Sequence, residues 1–277
     1  MTETHSGTVV DAPRTEGSVS PDIALSVSGI HKRYGGVVAL RDVSLNFPTG
    51  TLTAIVGDNG AGKSTLLKVI SGAEQPDAGS VVLHGEVRRF RSPLDARRAG
   101  IETVYQDLAL ADNLDAAQNL FMGREIKVGL GPFTFLRQRA MRRETEEIIQ
   151  RLNIKIPSVR IPVQHFSGGQ RQGVAIARAM NWGNEVIIMD EPTAALGIAE
   201  TARVEDLITT LRERELTIVV VSHNLDQVFR LADRIAVMRR GQLIELLDAH
   251  RTDAQKLVSL ITGLSASHDG TDGHEGA

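Results

Sequence analysis

The segment Gly57-Asp58-Asn59-Gly60-Ala61-Gly62-Lys63-Ser64-Thr65 constrains this chain more than any other. It fits the pattern G-x-x-x-x-G-K-[ST]. Thr51–Val56 before it reads as a strand, and Lys63–Ser71 after it reads as a helix. That strand–loop–helix context is the one the motif requires, so a chance glycine-rich turn is a poor account of it. Glycines allow the backbone to curl until successive N–H groups face phosphate oxygens. Lys63 can reach the β- and γ-phosphates of a nucleotide, and Ser64 can ligate Mg²⁺.

A second glycine motif, Phe166-Ser167-Gly168-Gly169-Gln170, precedes the helical pattern Arg171–Met180. It would present N–H groups to an anion at a helix start. One nucleotide needs one such cradle. Two in a short chain predict that each serves a different nucleotide, and that the protein works as a pair of chains.

Composition narrows the class. The chain has 277 residues, is 42% hydrophobic and carries 31 basic and 34 acidic residues, a net charge of −3. The balance argues against a nucleic-acid partner. Cysteine is absent, which removes disulfides, thiolate metal sites and a cysteine nucleophile and fits a cytosolic protein. No apolar run approaches the ~18 residues of a membrane span, and the N-terminus lacks the layout of a signal peptide. Any role in a membrane process would come through docking to other subunits.

Residues 1–22 and 265–277 are polar and lack apolar periodicity, which predicts disordered tails around a domain spanning 23–264. Within it, Ile23–Tyr34 and Val37–Phe47 suit an antiparallel pair. Ser80–Leu83, Ile101–Val104, Glu185–Met189 and Thr217–Val221 read as strands, and Asn113–Met122, Arg137–Leu152, Ala199–Arg214 and Thr252–Gly263 as helices. Gly129–Phe135 reads as a loop. Arg239-Arg240-Gly241-Gln242 between Ile235–Met238 and Leu243–Leu246 signals a hairpin. Strands alternating with helices imply an α/β fold with a parallel sheet. An N-terminal antiparallel β subdomain and a helical insertion at about 107–180 accompany it.

Glu185-Val186-Ile187-Ile188-Met189-Asp190-Glu191 is an apolar strand ending in two acids. Beside a P-loop, such a strand end is where Mg²⁺ must be held, which suits Asp190. Glu191 is then placed to polarise an attacking water.

The chain resembles the ATP-binding-cassette family of ATPases over nearly all of residues 23–264. The motifs stand in family order: P-loop, Gln106, Phe166–Gln170, Asp190-Glu191, His223. The resemblance implies that Gln106 senses Mg²⁺ and couples to membrane subunits, and that Tyr34, in Arg33-Tyr34-Gly35-Gly36, stacks on adenine. It implies that His223, in Val221-Ser222-His223-Asn224, contacts the γ-phosphate. Ser167, Gly168 and Gly169 would serve the nucleotide of the opposite chain. Two positions depart from the family pattern. Ala194-Ala195-Leu196-Gly197 has Gly197 where an acid is usual, and Phe166 stands for leucine.

Within the family, Glu191-Pro192-Thr193-Ala194-Ala195-Leu196-Gly197 is similar to the simple-sugar importers. So are Tyr105-Gln106-Asp107 and Asn119-Leu120-Phe121-Met122-Gly123-Arg124-Glu125. The resemblance therefore implies an ATP- and Mg²⁺-dependent single-cassette subunit, a homodimer peripheral to the cytoplasmic face of the cell membrane. Its partners would be transmembrane permease subunits and, indirectly, a solute-binding protein. The alternatives are the ATPase of an amino-acid importer or an exporter. A DNA-repair ATPase with the same head is disfavoured, because no sustained heptads lie between the two glycine motifs.

Overall fold

Three strands, β3 (Leu52–Val56), β9 (Val186–Asp190) and β10 (Thr217–Val221), are apolar almost throughout because both of their faces are covered. In the computed structural model, which describes residues 22–129, 133–181 and 185–263, their alternate side chains enter two different cores. Leu52, Ala54 and Val56 face one core with Ile187, Met189, Ile218 and Val220. Ile55 faces the other with Val186, Ile188, Val219 and Val221. Burying each such side chain contributes about 1.5–3 kcal/mol before the chain-ordering cost is counted.

These strands lie in a six-stranded sheet of order β12-β11-β3-β10-β9-β6, where β6 is Ile101–Val104, β11 Arg234–Arg239 and β12 Gln242–Asp248. All pairings are parallel except β11–β12, the hairpin foreseen at Arg239–Gln242. A four-stranded antiparallel sheet, β2-β1-β4-β5, covers one face. It is built from β1 (Ile23–Tyr34), β2 (Val37–Pro48), β4 (Ala78–Leu83) and β5 (Glu86–Arg88). Its strands share a core with α1 (Lys63–Ile70) and Ala96 of α2 (Pro93–Arg98). The fold is thus mixed α/β, with a largely parallel central sheet and a separate N-terminal antiparallel sheet.

Residues 107–180 hold α3 (Ala116–Leu120), α4 (Gln138–Arg151) and most of α5 (Gly168–Asn181). The foreseen Asn113–Met122 helix shortens to α3 because Asp115 caps it, in a capping box with Gln118. Lys127–Val128 (β7) pairs with Phe135–Leu136 (β8), so the last residue of the foreseen loop, Phe135, is in a strand. Three further α-helices follow among the described residues: α6 (Ile198–Arg212), α7 (Leu225–Leu231) and α8 (Ala254–Thr262). The expected tails, 1–22 and 265–277, fall outside the described residues apart from Asp22.

Candidate functional site

The parallel sheet delivers several foreseen residues to one edge, beyond the carboxyl ends of its strands. The P-loop leaves β3 at Val56, the acid pair ends β9, and His223 follows β10. In register, Ile55 pairs with Val221 and Val221 with Asp190, so the three strand ends are side by side.

Glycine is required at two P-loop positions by contact as well as by conformation. Gly57 has φ +150°, and a Cβ there would lie 2.1 Å from the Met238 carbonyl oxygen. Gly62 has φ +101°, and a Cβ there would lie 2.8 Å from the Ala39 carbonyl oxygen. Gly62 is also the residue before α1, and no side chain caps that helix. Its first N–H groups are thus left for an anion. Lys63 is nearly buried and donates to the Gly57 and Asp58 carbonyls at 2.7 and 3.0 Å, folded over its own loop. Burial pulls its pKa below the ordinary lysine value, against Glu191, Asp58 and Asp190, which favour the charged form. Asn59, Gly60 and Ser64 are exposed, Thr65 is half-buried and Ala61 is buried.

At the end of β9, burial first and Glu191 second push the Asp190 carboxyl above its usual range, while Lys63 and Lys68 pull it down. Glu191 has φ +49°, a left-handed conformation that costs a non-glycine residue energy and recurs at functional sites. Its N–H donates to the Val221 carbonyl at 2.9 Å, which holds the turn in place. Its Oε2 lies 2.9 Å from His223 Nδ1.

Two residues that the sequence reading did not single out support this arrangement. Gln227, buried on α7, accepts from the Ser222 hydroxyl at 3.0 Å and donates to Thr193 Oγ1 at 2.9 Å. It ties the turn after Glu191 to the turn carrying His223. Arg178, buried on α5, donates to the Leu108 and Ala109 carbonyls at 2.9 and 2.7 Å. It thereby fixes the loop that carries Gln106, two residues earlier. Gln106 itself is exposed, just past the end of β6, whose Val104 pairs with Met189 of β9.

Tyr34 ends β1 at the tip of the β1–β2 hairpin, its side chain exposed and the Lys32 ammonium 5.4 Å from the ring centre. The second glycine motif forms a capping box at the start of α5: Ser167 N–H donates to Gln170 Oε1 at 2.9 Å, and Gln170 N–H to Ser167 Oγ at 3.4 Å. Ser167 and Gly168 are exposed. Two cavities lined by P-loop residues, one with Arg239 and Arg240 and one with Ser222 and His223, include no residue of this motif.

A P-loop with an acid pair at the end of another parallel strand of the same sheet defines a P-loop nucleoside triphosphatase. More narrowly, the chain belongs to the ABC transporter family, whose model matches residues 40–194, and it is an ATP-hydrolysing cassette of that family. It is 46% identical over 243 residues to the fructose import ATP-binding protein FrcA of Rhizobium meliloti, covering 86% of this chain and 94% of that protein. It is 41% identical over 241 residues to the xylose/arabinose import ATP-binding protein XylG of Sulfolobus acidocaldarius, covering 87% and 94%. The ribose import ATP-binding protein RbsA of Burkholderia mallei is 42% identical, the match covering 87% of this chain but 47% of RbsA. Among solved structures, CbiO1 of Clostridium perfringens, part of the ABC transporter complex CbiONQ, superposes with a TM-score of 0.72 at 27% identity, covering 88% of this chain and 96% of CbiO1. The dimeric MJ0796 cassette superposes with a TM-score of 0.69 at 26% identity, covering 81% and 98%.

Proposed function

We propose that this chain is the ATP-hydrolysing subunit of a monosaccharide importer. It works as a head-to-tail homodimer beneath transmembrane permease subunits, at the cytoplasmic face of the membrane. A solute-binding protein would deliver the sugar to the permease. The sugar-import relatives support the substrate class, and the dimeric MJ0796 cassette supports the pairing. Among the described residues no helix is long and apolar enough to cross a membrane, in keeping with a subunit that docks.

The observation that carries the catalytic reading is Glu191, in a left-handed turn beside the P-loop with His223 at 2.9 Å. Glu191 accepts a hydrogen bond from the attacking water and orients it. His223 holds Glu191 and reaches toward the γ-phosphate. Gly57, Asn59, Gly60, Ala61, Gly62, Lys63, Ser64 and Thr65 cradle the phosphates, with Lys63 leaving its two carbonyls to meet them. Tyr34 stacks on the base. Ser167, Gly168, Gly169 and Gln170 close on the nucleotide from the partner chain.

The donor set fits Mg²⁺. Asp190 and Glu191 crowd two carboxylates at a half-buried strand end, and burial, with Glu191 second, raises the Asp190 carboxyl, so a cation there would favour its charged form. Ser64, Asp190 and Gln106 would hold the ion. Once bound, it neutralises charge on the transferring phosphoryl group.

Glu191→Gln tests the reading, because it keeps the shape and removes the charge. ATP binding should persist while steady-state hydrolysis falls about 10²-fold or more. Hydrolysis near the wild-type rate would overturn the assignment of Glu191.

A further inference from the structure

The β7–β8 hairpin presents apolar side chains that the fold leaves uncovered. Its two strands form a sheet of their own, paired with neither of the larger sheets. Val128, Phe133, Phe135 and Leu136 are 55%, 73%, 67% and 50% exposed, and no other stretch of this length among the described residues exposes as many large apolar side chains. The hairpin is nonetheless anchored. Ile126, just before it, packs against the core that α4 and α5 share, and Arg137 N–H, just after it, donates to the Ile126 carbonyl at 2.8 Å. Val128 stands opposite Phe135 in register, so the two share a face. Gly129, at φ +118°, lets the returning chain come close: a Cβ there would lie 2.0 Å from the Phe133 carbonyl oxygen. Phe133 is thereby held beside the end of β7.

The surroundings are basic. From Arg124 to Arg143 six residues are Arg or Lys and one, Glu125, is acidic. Partners within the chain account for three of the six: Arg142 pairs with buried Asp115 at 3.1 Å, Arg143 with Glu147 at 3.1 Å and Lys127 with Glu125 at 3.5 Å. Arg137 and Arg139 stand exposed at the start of α4. The helix macrodipole disfavours cations there, and no acid occupies the first turn. Their placement does not serve the helix; it suits an anion outside the chain. The acids of α4, Glu144, Glu146 and Glu147, come after this basic end.

Exposed apolar side chains with guanidinium groups beside them match the surface of an anionic bilayer, where rings enter the headgroup boundary and cations meet lipid phosphate. A permease loop fits less well, because cytoplasmic loops of membrane proteins are themselves rich in Lys and Arg. We propose that the β7–β8 hairpin and the first turn of α4 form a docking surface for anionic phospholipid at the membrane where the cassette works. The membrane setting comes from the function proposed above, and to that extent the proposal rests on it. The lipid contact would raise the local concentration of the chain at its permease.

The test mixes the full chain with vesicles of phosphatidylcholine, alone or with an equal part of phosphatidylglycerol, and follows flotation. The parent should float with the anionic vesicles, and salt should weaken the attachment. Phe133→Ser with Phe135→Ser, and separately Arg137→Glu with Arg139→Glu, should each weaken binding about tenfold or more. The charge reversal suits the start of a helix, so its thermal midpoint should not fall. Hydrolysis in solution should be unchanged in both double variants. No flotation with any pure-lipid vesicle, or equal flotation of the parent and both variants, overturns the proposal. If the parent instead binds only vesicles that carry native membrane proteins, the surface belongs to a protein partner and the lipid proposal falls. Each of these results leaves the ATPase reading standing, because hydrolysis by the same chains reports on it separately.

Discussion

Asp190 shows what the site costs the free protein. Its folded pKa is raised, by burial and then by Glu191, above the value of an unfolded aspartate. A group shifted this way contributes its full share to stability below the unfolded pKa, and loses it as pH rises through the folded value. Near neutral pH the charged carboxylate therefore destabilises the nucleotide-free chain. Asp190→Asn should raise the thermal midpoint by roughly 1–3 °C, a figure discounted for solvent screening at a half-buried site. The gain should shrink in acid, as pH falls through the raised folded pKa and the carboxyl protonates. Calorimetry at both pH values checks this, alongside an expected loss of Mg²⁺-dependent hydrolysis. A lowered midpoint at neutral pH would contradict the electrostatic account. At this scale the acid pair was legible in the sequence, because an apolar strand ending in acids after a P-loop has few other uses. The 2.9 Å contact of Glu191 with His223 was not legible from spacing, since it depends on β9 and β10 lying side by side.

Elements built from long periodic or fully apolar runs were readable: β3, β9 and β10 occupy nearly the residues expected, and α6 runs from Ile198 to Arg212. Two short helices were missed. α2 has six residues and α7 has seven, too few turns for an amphipathic period to emerge. Local signals existed at both. Ser92 caps α2 with Pro93 in its first turn, and Asn224 caps α7 through Gln227 N–H. The expected Thr252–Gly263 helix begins later, at Ala254, because Asp253 caps it by accepting from Lys256 N–H. Arg178 could not be singled out, because the helical pattern alone does not reveal which arginine of α5 turns inward. It links the helix of the second glycine motif to the loop after Gln106, so it belongs to the coupling of these two elements. Removing it would orphan two carbonyls and take a favourable charge from buried Glu102. Arg178→Met should cost about 2–4 kcal/mol in urea unfolding, and Arg178→Lys should recover only part, since one ammonium lacks the fork that spans both carbonyls. A loss below about 1 kcal/mol would mean the loop is held by other contacts.

For the whole molecule, the proposed function assigns two glycine motifs of one chain to phosphate, and two cavities lined by P-loop residues include no residue of the second motif. Two copies related by a two-fold axis would close two equivalent sites. The chain has no native cysteine, so a pair of introduced thiols reports directly on that arrangement. Asn59 is exposed on the P-loop, and a Cβ at Gly168 would press at 2.8 Å on the movable tip of Leu196. The decisive measurement is thiol cross-linking of the Asn59→Cys, Gly168→Cys chain in the Glu191→Gln background, with and without ATP, resolved by mass. Head-to-tail pairing predicts cross-links between chains that form with ATP and fade without it. Cross-links confined to single chains, or none under any nucleotide condition, would contradict it.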